Sequence, residues 1–319
     1  MKKTGIVSIV LCAALLIQVS SAFAADTGGG RLGGRGGNGG PGGNGGGMGG
    51  FQMENDPEVQ EVIDSASDKF IQDTFTDPDA GVTLEYSLYI PDDYDETEEY
   101  PLIMFIPDSS GSGKSAAQLV EQYYGAAVWA TDDEQEKHPS FVLVPAFSET
   151  VVDDSWNTSN QIETAVKLIE SIEEKYSIDT DRIYTTGQSM GCMTSLYLNS
   201  IYPDLFAASL YVSGQWDISV LENLEEQTFF YITSAGDTKA SAGQGEVMAM
   251  FDADSTAYTY GEWNCKDTDQ NEKAQELIAE GLSANMIRFE AEYTDDSGIN
   301  QSLIRIDMII TVKHHTKLT

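Results

Sequence analysis

Residues 187–191 read Gly187-Gln188-Ser189-Met190-Gly191. The run before them, Arg182-Ile183-Tyr184-Thr185-Thr186, is β-branched and aromatic and suits a buried strand. The run after them, Cys192 to Ile201, has no glycine or proline and suits a helix that Tyr202-Pro203 stops. A Gly-x-Ser-x-Gly turn between a strand and a helix is so sharp that side chains on either flank would collide, so both flanks need glycine. The serine is then held in a strained conformation, its Oγ exposed and a helix N-terminus beneath it. The pattern therefore ties the chain to a strand–turn–helix unit and points to Ser189 as a nucleophile. The competing reading is a glycine-rich turn with an incidental serine.

Other segments fit the same architecture. Residues 54–70 read as a short acidic helix, and Val82 to Ile90 as a strand ended by Pro91-Asp92-Asp93. Leu102-Ile103-Met104-Phe105-Ile106 and Phe141-Val142-Leu143-Val144 are continuous apolar runs, as strands buried on both faces require. Phe206 to Val212, Thr228 to Thr233 and Met286 to Ala291 are further strands. Helices are expected over Ser115–Trp129, Ile162–Tyr176 and Glu272–Leu282. Strands alternating with helices imply an α/β domain whose mainly parallel sheet carries helices on both faces. Its active groups belong at the carboxyl ends of the strands.

The ends of the chain read differently. Met1-Lys2-Lys3, an apolar stretch from Ile6 to Val19 and Ala22-Phe23-Ala24 form a secretory signal, with cleavage expected after Ala24. The apolar stretch is short for a membrane span, so export without an anchor is expected. Residues 25–50, mostly glycine from 28 on, have almost nothing to bury and read as a disordered linker. Residues 51–319 are then one domain. The formal charge is −35, and −37 once Lys2 and Lys3 are removed. That opposes binding to nucleic acid or anionic membranes. Of the two cysteines left after cleavage, Cys192 is expected as a buried free thiol rather than a disulfide partner of Cys265. No histidine or second thiol lies at metal-ligand spacing from either.

A serine hydroxyl needs a histidine base, and the histidine needs a carboxylate to orient it. Asp237 follows a strand and the Gly236 turn, and lies after the serine in the chain, as this architecture requires. Asp217 competes for that role. His138 precedes a strand at its amino end, on the wrong edge of the sheet. His314 and His315 come after everything else, in the right order, with four residues following. One of them is the expected base. The oxyanion hole is expected from the Met190 N–H and an N–H near Asp108 or Ser109, with the Asp108 carboxylate turned away. The nearby Gly113-Lys114-Ser115 imitates a phosphate loop, but Asp108 stands where that pattern needs glycine. Gln188, Trp156 and Trp216 are expected to line the substrate cleft. No cofactor or catalytic metal is implied.

Asp179-Thr180-Asp181-Arg182-Ile183-Tyr184, the Gly187–Gly191 turn and Tyr202-Pro203-Asp204-Leu205-Phe206-Ala207-Ala208 together resemble the secreted α/β-hydrolase esterases. These include the polyhydroxybutyrate-depolymerase-like, feruloyl-esterase and acetylxylan-esterase groups and related predicted peptidases. The resemblance implies an α/β-hydrolase fold, Ser189 as nucleophile, Met190 as oxyanion donor, Asp237 as triad acid, and a small-molecule or polymer-linked ester as substrate. Two features depart from the family. Pro107-Asp108 replaces the usual His-Gly, and the tail from Ile304 lacks the closing amphipathic helix. That tail reads as divergent, truncated or frame-shifted. The alternatives to an esterase are a non-catalytic binding protein of the same fold and a serine peptidase.

Overall fold

The computed structural model describes residues 57–264, 267 and 269–290. The expected signal (1–24), the linker (25–50), Cys265, His314 and His315 lie outside the described residues. Nine strands are described: β1 (Ile71–Asp77), β2 (Val82–Tyr89), β3 (Tyr100–Ile106), β4 (Phe141–Ala146), β5 (Ile178–Gln188), β6 (Ala208–Val212), β7 (Phe229–Ser234), β8 (Tyr258–Asn264) and β9 (Ala284–Glu290). The helices described are α1 (Pro57–Ala66), α2 (Ala116–Val120), α3 (Tyr124–Ala127), α4 (Asp132–Lys137), α5 (Gln161–Lys175), α6 (Met190–Ile201), α7 (Thr238–Asp254) and α8 (Gln270–Ala279).

The strands form one sheet in the order β1-β2-β4-β3-β5-β6-β7-β9-β8. β1 with β2, and β2 with β4, are antiparallel. All other neighbouring strands run parallel. This is the α/β-hydrolase fold.

The apolar runs explain the layering. Side chains alternate across a strand, so a continuous run supplies both faces. Leu102, Met104 and Ile106 of β3 join one core with Ile162, Ile169, Leu196 and Phe251 from α5, α6 and α7. Ile103 and Phe105 join a second core with Val59, Ile63, Leu119 and Ala126 from α1, α2 and α3. A third cluster at the far end packs Ala274 of α8 on Ile287 and Phe289 of β9. Each fully buried Leu or Met contributes about 1.5–3 kcal/mol from burial alone.

Several expectations need correction. The helix expected over 115–129 breaks at Tyr123, whose backbone is extended, and resumes as α3. Gly125 of α3 sits where a Cβ would stand 2.5 Å from the Phe105 ring, so the backbone dips onto β3 instead of running past it. β1, α4, α7 and β8 were not foreseen, and β5 starts at Ile178 rather than Arg182. Among the described residues, no helix is long and apolar enough to cross a membrane.

Candidate active site

β5 ends at Gln188, and α6 begins at Met190. Ser189 between them has φ 51° and ψ −115°, a left-handed backbone that L side chains rarely adopt. The turn is pinned from both sides. The Ser189 N–H donates to the Val212 carbonyl at 2.9 Å, and the Ser189 carbonyl accepts from Met193 N–H at 2.9 Å. The glycines are needed for the reason the sequence suggests. A Cβ on Gly187 would lie 2.6 Å from the Ile106 carbonyl oxygen, and one on Gly191 would lie 2.0 Å from that same atom. The loop after β6 presses on the turn as well, since a Cβ on Gly214 would meet the Ser189 carbonyl oxygen at 2.8 Å. Met190 opens α6, so its N–H is among the first-turn donors that have no partner within the helix.

The loop after β3 lies directly against this turn, as the Ile106 contacts require. Asp108, only 1% exposed, caps a 3-10 turn over Ser109–Gly111. Its Oδ1 accepts from the Ser110 N–H at 2.8 Å and from the Tyr123 hydroxyl at 2.8 Å. Its Oδ2 accepts from Gln188 Nε2 at 2.9 Å. Gln188, expected in the substrate cleft, therefore turns its amide to Asp108. Ser112 Oγ stands 3.8 Å from Met190 Sδ, a second link between loop and turn. The Gly113-Lys114-Ser115 run has local structural work. Gly113 adopts φ 79°, Lys114 meets the Gln122 amide, and Ser115 forms a capping box with Gln118 at the start of α2.

Asp237 follows β7 and caps α7, accepting from the Ala240 N–H at 3.1 Å. Burial raises its pKa, opposed by the α7 backbone N–H groups and by Lys239. The turn that carries Asp237 is joined to β9, because the Ala235 N–H donates to the Phe289 carbonyl at 2.8 Å. Asp217, the competing carboxylate, caps a separate 3-10 turn and accepts from the Ser219 N–H at 3.0 Å and hydroxyl at 2.7 Å. Those two bonds hold its pKa low.

Trp156 occupies a tight loop between β4 and α5. Asp153 organises that loop by accepting from the backbone N–H groups of Ser155 (2.8 Å) and Asn157 (3.1 Å) and from the Asn157 amide. Trp156 itself has φ 63° and is 40% exposed. A bulky residue with that backbone is an outlier, and strain of this kind gathers at functional sites. Its ring stands edge-on to Trp216 at 5.2 Å, and Trp216 packs on Tyr197 at 5.4 Å. Trp216 is buried and backs Trp156.

Sequence reasoning missed a bridge beside these groups. Asp154 accepts from Lys239 Nζ at 2.6 Å and from Gln215 Nε2 at 3.0 Å, joining the Trp156 loop to the first turn of α7 and to the segment before Trp216. No local pattern announces a contact across 85 residues.

Cys192 is a buried free thiol. His138 is exposed at the end of α4, before β4, hence at the amino edge of the sheet, away from Ser189. Among the described residues, no group of three or more His, Cys, Asp or Glu side chains is arranged to hold a metal ion.

Residues 81–281 match the model of the family described as "Putative esterase". Over 126 residues the chain is 27% identical to a probable acetylxylan esterase A of Aspergillus clavatus, a match covering 36% of this chain and 39% of that protein. The fold is similar to that of a thermostable esterase, with a TM-score of 0.58 and 24% identity over 73% of this chain and 58% of that one. It is also similar to the feruloyl esterase module of Clostridium thermocellum, solved in complex with sinapinate. That TM-score is 0.51, with 14% identity over 75% of this chain and 86% of the module. The chain thus spans less than two thirds of the length of the acetylxylan esterase and of the thermostable esterase.

Proposed function

Because this chain belongs to that esterase family, we propose that it is an exported serine hydrolase of carboxylic esters. The observation that carries this reading is the left-handed backbone of Ser189 at the join of β5 and α6, with glycine enforced on both sides by the Ile106 carbonyl. Such a turn lifts the serine hydroxyl clear of its neighbours at the carboxyl end of a central strand, above a helix N-terminus.

In the proposed reaction Ser189 Oγ attacks the ester carbonyl and its proton passes to a histidine. A tetrahedral oxyanion forms and collapses, the alcohol leaves with the proton, and water releases the acyl group from Ser189 by the same steps. The oxyanion is held by the Met190 N–H and an N–H of the Asp108–Ser109 segment. Asp237 orients the imidazole. The base is assigned to His315 or His314. This reading is supported by β9, which ends at Glu290 on the same edge as the Asp237 turn, to which Phe289 is bonded.

The exposed Trp156 ring, backed by Trp216, is suited to wall the acyl or alcohol pocket. The substrates proposed are acyl esters on plant polysaccharides, or polyesters. A second reading, a binding protein that keeps the fold without turnover, is motivated by His138, the histidine among the described residues, standing at the opposite edge.

One experiment separates the two. Residues 25–319 are treated with a fluorophosphonate probe and assayed on p-nitrophenyl acetate and methyl ferulate, beside Ser189→Ala and the double change His314→Ala/His315→Ala. Labelling and turnover lost in Ser189→Ala support the esterase. A folded parent that neither labels nor turns over would leave the binding protein.

A further inference from the structure

We propose that the Asp108 carboxylate is a positioning residue that ties the oxyanion loop to the serine-bearing turn, so that the two oxyanion donors hold a fixed separation. The proposal rests on the esterase reading above.

A carboxylate that is 1% exposed must find hydrogen bonds to replace water. Asp108 finds three, each from a different part of the site. Ser110 belongs to the oxyanion loop itself. Tyr123, 7% exposed, stands at the break between α2 and α3 and also meets Ser110 Oγ at 2.9 Å. Gln188 is the last residue of β5, next to Ser189. Among the described residues, no ion pair includes Asp108, so it is held by neutral donors alone.

The geometry divides the work between the two oxygens. Oδ1 takes the loop N–H and the Tyr123 hydroxyl, which fixes the 3-10 turn and with it the direction of the N–H groups at 108–110. Oδ2 takes Gln188, which fixes the residue before the nucleophile. In the proposed site the loop and the start of α6 supply the two halves of the oxyanion hole, and Asp108 is bonded to the loop and to Gln188, two residues before Met190. An oxyanion donor acts at about 2.7–3.1 Å, so slack of even ~1 Å between the halves weakens stabilisation of the transition state. Trp156 and Trp216, the proposed cleft walls, are not among the partners of Asp108, so KM is expected to hold when the tether is cut.

The division also supplies a test that simple damage to the fold would not mimic. Gln188→Glu puts a second carboxyl group against Oδ2. Two carboxyls at hydrogen-bond distance share one proton and repel once it is lost. The reversed pair, Asp108→Asn/Gln188→Glu, restores one amide and one carboxylate. The new amide oxygen accepts from Ser110 and Tyr123 while its NH2 donates to the new carboxylate.

The expected result for Gln188→Glu on p-nitrophenyl acetate is a kcat that falls to about 100-fold below the parent's at alkaline pH, at unchanged KM. The reversed pair should return kcat to within about 3-fold of the parent and remove the added pH dependence. Melting curves accompany each variant. Should Gln188→Glu not fold, Tyr123→Phe reads the same tether by deleting one hydroxyl, with kcat expected to fall about 10-fold at unchanged KM. A parent that turns over while Gln188→Glu keeps its kcat and pH profile overturns the tether alone. So does a folded reversed pair that stays as impaired as the single variant, or a Tyr123→Phe with parental kcat. A folded parent without turnover removes the esterase reading and the tether's catalytic role together.

Discussion

Gly191→Ala measures how tightly the serine turn is pressed against the loop that follows β3. The added Cβ would lie 2.0 Å from the Ile106 carbonyl oxygen, 2.8 Å from its carbon and 3.0 Å from the Pro107 carbonyl oxygen. Favourable carbon contacts begin near 3.5 Å, so well over ~1 Å of separation has to be created. None of the obstacles is a side chain that can swing aside. Ile106 is paired with Gly187 in the β3–β5 ladder, so its carbonyl recedes only by bending the end of that ladder. Overpacking of this kind costs about 1–3 kcal/mol, and a lost ladder hydrogen bond adds about 1 kcal/mol. With roughly 2–4 °C per kcal/mol for a domain of this size, the melting temperature should fall by about 10 °C. Gly81→Ala is the control. Gly81 has φ 65° and open space around the missing Cβ, so only backbone strain applies, about 1 kcal/mol. Displacing the loop also separates its N–H groups from Met190, and kcat should fall about 100-fold or more. The assay is thermal melting with initial rates on p-nitrophenyl acetate. A Gly191→Ala protein that melts no lower than Gly81→Ala would refute the steric reasoning.

Three other changes have defined outcomes. Ser189→Gly should be more stable than Ser189→Ala by about 1 kcal/mol, because release of left-handed strain (~1–3 kcal/mol) exceeds glycine's entropic cost (~0.5–1 kcal/mol); urea midpoints decide, and equal midpoints would contradict it. Asp237→Asn should melt higher than the parent at neutral pH while losing turnover. Burial raises the folded-state pKa of Asp237, so its charged form weighs against folding above that pKa. The advantage should close as pH falls through the raised pKa towards the ordinary Asp range, and an advantage that persists at acid pH would show another cause. Trp156→Ala should raise KM for methyl ferulate more than for p-nitrophenyl acetate, because the larger acyl group has more surface to place on the ring; parallel changes would remove Trp156 from the acyl pocket.

The parts legible in the sequence were those with local or periodic causes. β3 and β4 carry uninterrupted apolar runs, and β6 and β7 are largely apolar, because both their faces are covered, and α5 shows its buried stripe. β1 was hidden because it is an edge strand whose first four residues are exposed, so no alternation marks it. α7 was hidden by Gly243 and Gly245, residues that weaken any helical pattern; Gly243 is there because a Cβ would stand 2.4 Å from the Gln215 side chain. In the site, the serine turn could be read from five consecutive residues. The tether from Asp108 to Gln188 spans 80 residues and the bridge from Asp154 to Lys239 spans 85, and only the folded sheet brings those partners together.

The strand order also bears on how the molecule is made. β8 pairs with β9 among the described strands, and β9 in turn separates it from β7. A chain synthesised from its amino end releases β8 some twenty residues before the strand it needs, so β8 has no place in the growing sheet until β9 has emerged. Up to that moment the outer edge of β7 stays open, and Tyr258, Tyr260 and Trp263 of β8 remain a sticky orphan segment. The last of the described strands thus closes the described sheet from within. A ribosome that stops before residue 284 yields a product in which the outer edge of β7 and the whole of β8 are left unpaired, a substrate for quality-control proteases.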